Sequence, residues 1–354
     1  MKRTLLATAL TLLPLAACVD GADLASTEQA GTVYDGNGDS CPKWGCSSNS
    51  AYLGPSEFHE LDETGATPNK EGFRITSFTK NGVSYRVNVT GTTLVGQQYL
   101  WGQGWVNTLT DQNLVGAELN VDSANGTRYA IKIYAVSNVQ KFWQGPAGTV
   151  NTYELQWRQV YPASTHYTPV CKDPPSRIDG EDKAWLKVSE AILFTGDRYD
   201  VDTLTVTATG PRAAGPWFNI GCAGTVLAKL ALNRFTDATA VPGAVTTWAQ
   251  RQSMLKMYTS DVCGHGDALT KVGTALRWWS SNGWASSPIA VNSHEAYWNE
   301  NGAICLDTHR LHGTLDDMDL QIAASCAAAG KPLPPPCAPG TSSWYMRTAS
   351  PAIP

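Results

Sequence analysis

Nine cysteines constrain this chain more than any other feature, because one sits at the end of an N-terminal apolar run and eight lie in the body. The apolar run, residues 5–15, follows Lys2 and Arg3 and is far shorter than the roughly 20 residues a membrane span needs, so it reads as an export signal. An exported chain oxidises its thiols. Cys41, Cys46, Cys171, Cys222, Cys263, Cys305, Cys326 and Cys337 are an even set and read as disulfides, with the connectivity open. Cys41 with Cys46, and Cys326 with Cys337, are the tempting pairs on proximity. Each bridge typically adds about 2–4 kcal/mol. A hydrophobic fraction of 42% and 13 tryptophans suffice for a core, so the bridges reinforce a fold and do not replace one.

The ninth cysteine closes Leu15-Ala16-Ala17-Cys18, which resembles the lipobox of bacterial lipoproteins. That resemblance implies a signal peptide over 1–17, acylation of Cys18 and a mature chain beginning there. Removing Lys2 and Arg3 takes the formal charge from -5 to -7. An acidic chain without clustered Lys and Arg is no nucleic-acid binder. No later segment is long and apolar enough to cross a bilayer, so the N-terminal lipid would be the membrane contact. Val19 follows the lipid cysteine where some bacteria use Asp for inner-membrane retention, which favours the outer membrane, on its periplasmic or surface side. Residues 18–40 carry Asp20, Asp23, Glu28, Asp35 and Asp39 with no basic residue, and read as a flexible acidic tether.

From about 70 to 210 the hydrophobic pattern alternates with period two. Residues 74–79 and 83–89 flank Lys80-Asn81-Gly82, and 117–121 and 129–136 flank Asn125-Gly126, the strongest short hairpin signal. Further strands are expected at 152–160, 185–194 and 203–209. After Pro216 the period becomes helical, with Ala223, Val226, Leu227, Leu230 and Ala231 on one face, a second helix over 246–257 and a third from an N-cap at Thr314 to about 328. The expected class is therefore α+β. An antiparallel β-rich domain, sandwich or barrel-like, spans 41–212; a disulfide-stapled, mainly helical domain spans 213–330; a Pro-rich tail spans 331–354.

Reactive residue types are densest at Ser260-Asp261-Val262-Cys263-Gly264-His265-Gly266-Asp267. Cys263 beside His265 and Asp267 suggests a nucleophile, and His265 with Asp267 a metal pair, but an oxidised Cys263 is no thiolate and the two glycines mark a tight turn. Asp35-Gly36-Asn37-Gly38-Asp39 begins like a calcium loop and fails at Ser40 and Cys46, where glycine and glutamate are required. Ser293-His294-Glu295 reads as the opening of a short helix. There Glu295 favours the helix dipole, with a general-acid role, near Asp307 and His309, as the rival. Trp278, Trp279 and Trp284 suit either core packing or stacking on sugars. No phosphate loop, nucleophile elbow or zinc-protease helix is present, and neither a cofactor nor a metal is expected.

Several spaced motifs give the chain a resemblance. Trp44-Gly45-Cys46 with Asn49-Ser50, then Phe218-Asn219-Ile220-Gly221-Cys222-Ala223-Gly224 with Lys229, come first. Cys263-Gly264 with Gly266, Thr270 and Gly273 follow, then Glu295-Ala296, Trp298, Gly302-Ala303 and Cys305. In this order they resemble the bacterial ADYC-domain proteins, named for an Ala-Asp-Tyr-Cys motif. Here that motif reads Ser260-Asp261-Val262-Cys263, keeping the aspartate and the cysteine and replacing the tyrosine. The resemblance implies a secreted or lipid-anchored, cysteine-rich module and brings no reaction with it. The sequence thus supports a lipid-anchored, disulfide-stabilised binding or structural module of the cell envelope, with an envelope polymer or a protein as ligand. The alternative is an envelope hydrolase using Asp261, His265, Asp267 or Glu295.

Overall fold

The computed structural model describes residues 50–141, 149–162, 165–172, 190–200, 202–207, 216–236, 246–270, 276–286, 293–310 and 315–350. Cys18, Cys41, Cys46, the 18–40 tether with its Asp35–Asp39 loop, Trp185 and the Thr314 cap lie outside them.

The Asn81-Gly82 signal gives a tight hairpin, while Asn125-Gly126 lies in the longer loop 123–127. Strands β4 (Arg74–Lys80) and β5 (Val83–Thr90) are joined by Asn81 at φ 51° and Gly82 at φ 78°, the two positive angles a type I′ turn requires. β6 (Thr93–Leu100) and β7 (Gly104–Leu109) continue the meander, and β8 (Glu118–Asp122), β9 (Arg128–Lys141) and β10 (Thr149–Gln159) follow. With β3 (Glu60–Asp62), β13 (Glu190–Thr195) and β16 (Trp217–Cys222) they build one antiparallel sheet in the order β3-β16-β13-β10-β9-β8-β4-β5-β6-β7, and β11 (Thr168–Pro169) pairs with β10. The sheet curls on itself. The backbone N–H of Thr195 donates to Gly91 O at 3.2 Å, and Tyr153 Oη accepts from the N–H of Leu94 at 2.8 Å, tying the β5–β6 turn back to β13 and β10. The concave face buries Phe58, Leu61, Phe78, Leu119, Ile131, Leu193 and Phe218. β1 (Ser50–Leu53), β2 (Ser56–Glu57) and β12 (Cys171–Lys172) form a small sheet at its side, and a Cys171–Cys222 disulfide binds β12 to β16.

A second core begins on the other face of β13. Ala191 and Leu193 point into the first core and Ile192 and Phe194 into the second, so this strand is apolar on both faces and reads as a continuous run, not an alternation. Against it pack α1 (Val226–Leu232) and α2 (Trp248–Thr259). Thr225 Oγ1 caps α1 by accepting from the N–H of Ala228, and Thr247 with Gln250 forms a capping box on α2. Gly221 lets α1 lie directly on β16, since a Cβ there would stand 2.7 Å from the backbone nitrogen of Ala228. β14 (Arg198–Asp200) and β15 (Thr205–Thr207) form a ribbon held by α2. Gln252 Oε1 accepts from the N–H of Val206 at 2.6 Å while its Nε2 donates to Leu204 O at 3.0 Å.

The expectation of an α+β chain with a mainly helical C-terminal half is overturned. The described residues are mostly β, about 45% strand and 15% helix, and those of the second half hold eight strands beside three helices. Helices stand near all three expected places, α3 being Leu315–Ala328, but a four-stranded antiparallel sheet runs among them. Its order is β17 (Arg277–Ser280), β20 (Met346–Ser350), β18 (Ser293–Asn299), β19 (Gly302–Leu306). Only β18–β19 is a local hairpin; β20 joins partners about 50 residues or more away in the sequence, for which no local signal exists. Residues 293–298 are therefore strand and open no helix. The cysteine pairs also differ from proximity: Cys326 bonds Cys263 and Cys337 bonds Cys305.

Candidate functional site

The densest polar cluster of the sequence folds into a joint between four segments. Helix α2 ends in a Schellman-type turn, with Ser260 left-handed at φ 53°, its N–H donating to Met257 O at 3.2 Å, and Asp261 N–H donating to Lys256 O at 2.9 Å. The turn drives Asp261 into the interior, fully buried. Its Oδ2 accepts from Lys256 Nζ at 2.6 Å and from the N–H of Gly266 at 3.0 Å, and Lys256 Nζ also donates to Thr203 O at 3.0 Å. Burial pushes the Asp261 carboxyl above the ordinary carboxylate range, against the pull of Lys256 and the Gly266 amide. Two residues on, Cys263 is bonded to Cys326 of α3 and is no thiolate nucleophile. The glycines make the approach possible: a Cβ on Gly264 would stand 2.3 Å from Asn301 O, and one on Gly302 2.4 Å from Val262 O. Lys331 Nζ closes the joint by donating to Cys263 O at 3.0 Å and Asn301 O at 2.9 Å. Val262, where the family tyrosine would stand, is buried and accepts through its carbonyl from the N–H of Ala303 at 2.8 Å. His265 lies on the solvent side and Asp267 half-buried.

Glu295 belongs to a second, separate pair. It is fully buried on β18, where its two carboxylate oxygens accept from Arg310 Nε at 2.6 Å and Nη2 at 3.1 Å, a bidentate bridge, and Arg310 lies 5.8 Å from the Trp298 ring centre. Among the described residues no hydrogen bond or ion pair joins any two of Asp261, His265, Asp267, Glu295 and His309. The tryptophans are occupied as well. Trp278 is buried, donates from Nε1 to Tyr258 Oη at 3.1 Å and meets Phe235 edge-on, as does Trp284; Arg347 and Arg277 lie 4.0 and 4.8 Å from the centre of the Trp279 ring.

A pair the sequence reasoning missed lies beside the third disulfide. His294 Nδ1 is 2.9 Å from Asp307 Oδ2, and Asp307 Oδ1 accepts from the N–H of Cys337 at 2.7 Å. One donor atom each of His294, Asp307 and Cys337 falls within 4.8 Å of the others, a spacing compatible with a metal ion. With Cys337 bonded to Cys305, however, the set offers only an imidazole and a carboxylate, fewer than the three or four protein ligands of a zinc site.

What the surface does offer is an aromatic hairpin. At the end of β6–β7, Trp101 is 94% exposed, Tyr99 59%, Trp105 50% and Leu100 38%. Tyr99 and Trp105 are directly opposite and meet edge-on at 5.7 Å, with the Arg86 guanidinium 5.3 Å from the Trp105 ring centre.

Compared with known families, residues 111–312, more than half of the chain, match a family model described as the ADYC domain. No curated protein and no solved structure matches the chain.

Proposed function

The chain belongs to the ADYC-domain family, and we propose that it serves as an exported, lipid-anchored binding or structural module of the bacterial cell envelope. The observation that carries this reading is the use to which the family-type residues are put. Asp261 holds Lys256 and the Gly266 amide, Cys263 is stapled to α3, and Glu295 is clamped by Arg310. Gly221 seats α1, and Trp298 Nε1 donates to Thr348 Oγ1 at 2.8 Å. Each of these makes a joint within the second core. A general acid or nucleophile must reach substrate, and a carboxylate buried against a cation does not. Three disulfides among the described residues suit an oxidising compartment. The lipobox-like ending at Cys18, followed by Val19, supports attachment to the outer membrane, where the tether would give the domain a reach of roughly 25 Å, enough to stand clear of the lipid headgroups.

Metabolic labelling with an alkyne fatty acid tests the anchor. The wild-type protein should carry the label and Cys18→Ser should not; an unlabelled wild-type protein would overturn the attachment.

A further inference from the structure

The β6–β7 hairpin carries an inference that is independent of Cys18. From Val87 to Thr110 the chain has no Asp, Glu, Lys, Arg or His, although charged residues are 16% of the whole. Within this neutral stretch the side chains are layered along the hairpin axis. Nearest the body of the sheet are two polar cross-strand pairs. Gln97 Nε2 donates to Asn107 Oδ1 at 2.9 Å, and Thr108 Oγ1 donates to Gln98 Oε1 at 3.0 Å. Beyond them the strand side chains are apolar or aromatic on both faces, Tyr99 and Trp105 on one and Leu100 on the other, and the turn carries Trp101 with the uncharged, exposed Gln103. From the Tyr99–Trp105 row to Trp101 is two residues, about 7 Å of strand.

We infer that this tip is a wedge that docks into the interfacial layer of a lipid bilayer. A layering by depth, not by face, is what insertion along the hairpin axis demands. Interfacial elements bury about 5–10 Å, which is the height of the apolar tip, and Trp and Tyr are the side chains favoured at that level. The stretch itself carries no charge, and the Arg86 guanidinium, 5.3 Å from the Trp105 ring centre, belongs to the residue paired with Gln97 at the base of the tip, where headgroups and water solvate it. Among the described residues β7 is the outer strand of its sheet and pairs with β6 alone, so the tip stops at the interface and does not enter the hydrocarbon core. A sugar platform fits less well, because Tyr99 and Trp105 stand at 75° to one another and present no common plane.

The test is co-flotation of the chain beginning at Val19, which carries every described residue and no lipid, with phosphatidylcholine vesicles. The wild-type chain should float with the vesicles, equally well after addition of phosphatidylglycerol or of salt. Trp101→Gln should lower the partition coefficient about tenfold or more, and Leu100→Gln with Trp101→Gln should bring it to background, with the melting temperature unchanged because both side chains are exposed. The inference is overturned if the wild-type chain stays out of the vesicle fraction, or if the double variant still floats. It is equally overturned if Gln97→Ala with Asn107→Ala loses as much as the tip variants, or if the tip mutations act by abolishing a dimer. Since no acyl chain is present, none of these outcomes bears on Cys18.

Discussion

Replacing Asp261 by Ala should cost the fold about 3–5 kcal/mol, a large part of the roughly 5–15 kcal/mol that holds a domain folded. The magnitude follows from what the substitution leaves behind. Lys256 Nζ, itself buried, keeps only Thr203 O as a partner, and the N–H of Gly266 loses its acceptor at the tightest point of the turn. An uncompensated buried ammonium accounts for most of the loss, and the orphaned amide for about 1 kcal/mol. Removing both charges in Lys256→Met with Asp261→Ala should recover much of it, leaving the pair within about 2 kcal/mol of wild type and a coupling energy of at least about 2 kcal/mol. Urea unfolding at neutral pH with the disulfides intact, with slopes compared across the three variants, measures this directly. A single variant within about 1 kcal/mol of wild type, or a double variant whose loss equals the sum of the singles, would refute the structural assignment of the motif aspartate and return it to the list of reactive residues.

Three further outcomes are expected. His59 is buried, donates from Nε2 to Tyr199 O at 3.1 Å and is held by desolvation at a pKa of about 4, below its ordinary 6.5. Its contribution is therefore complete above pH 6.5 and lost as pH falls toward 4, by up to about 3 kcal/mol. Glu63 runs the other way: desolvation raises it to about 7, so its contribution is complete below pH 4.5 and lost as pH rises through 7. Thermal melts across pH should show the acid limb shrink in His59→Gln and the neutral limb flatten in Glu63→Gln; unchanged profiles would contradict both assignments. Removing the Cys263–Cys326 bridge, which links residues 63 apart, should cost about 4 kcal/mol by the loop-entropy relation. The Cys263→Ala with Cys326→Ala variant should then melt well below wild type, and a melt equal to wild type would contradict the estimate.

Much of the first sheet was legible because its hairpins announce themselves locally. Asn81-Gly82 can supply two positive φ angles, and the flanking alternation fixes which face is buried. The helices were legible too, Thr247 with Gln250 being a readable cap. The second sheet was not, because β20 finds β17 and β18 across long separations and its five residues carry no turn signal. Glu295 was misplaced for a related reason. A glutamate two residues after Ser293 resembles a helix start, and only the distant Arg310, together with Ala296 and Trp298 buried from the strand, makes an interior position tolerable. The Cys263–Cys326 and Cys305–Cys337 pairs cross the short-range choice because α3 lies against the turn after α2, and the segment at Cys337 against β19, so tertiary packing and not chain distance sets which sulfurs meet. Glu295–Arg310 and His294–Asp307 likewise arise from the β18–β19 hairpin register, which the helical reading had erased.

The central position of β20 has a consequence for how the protein is made. Of the described strands it is the last to leave the ribosome, yet it lies between β17 and β18 and supplies hydrogen bonds to both. Until it arrives, two strands that bury Trp278 and Trp298 have open edges facing one another. The second core therefore cannot close until β20 is in place.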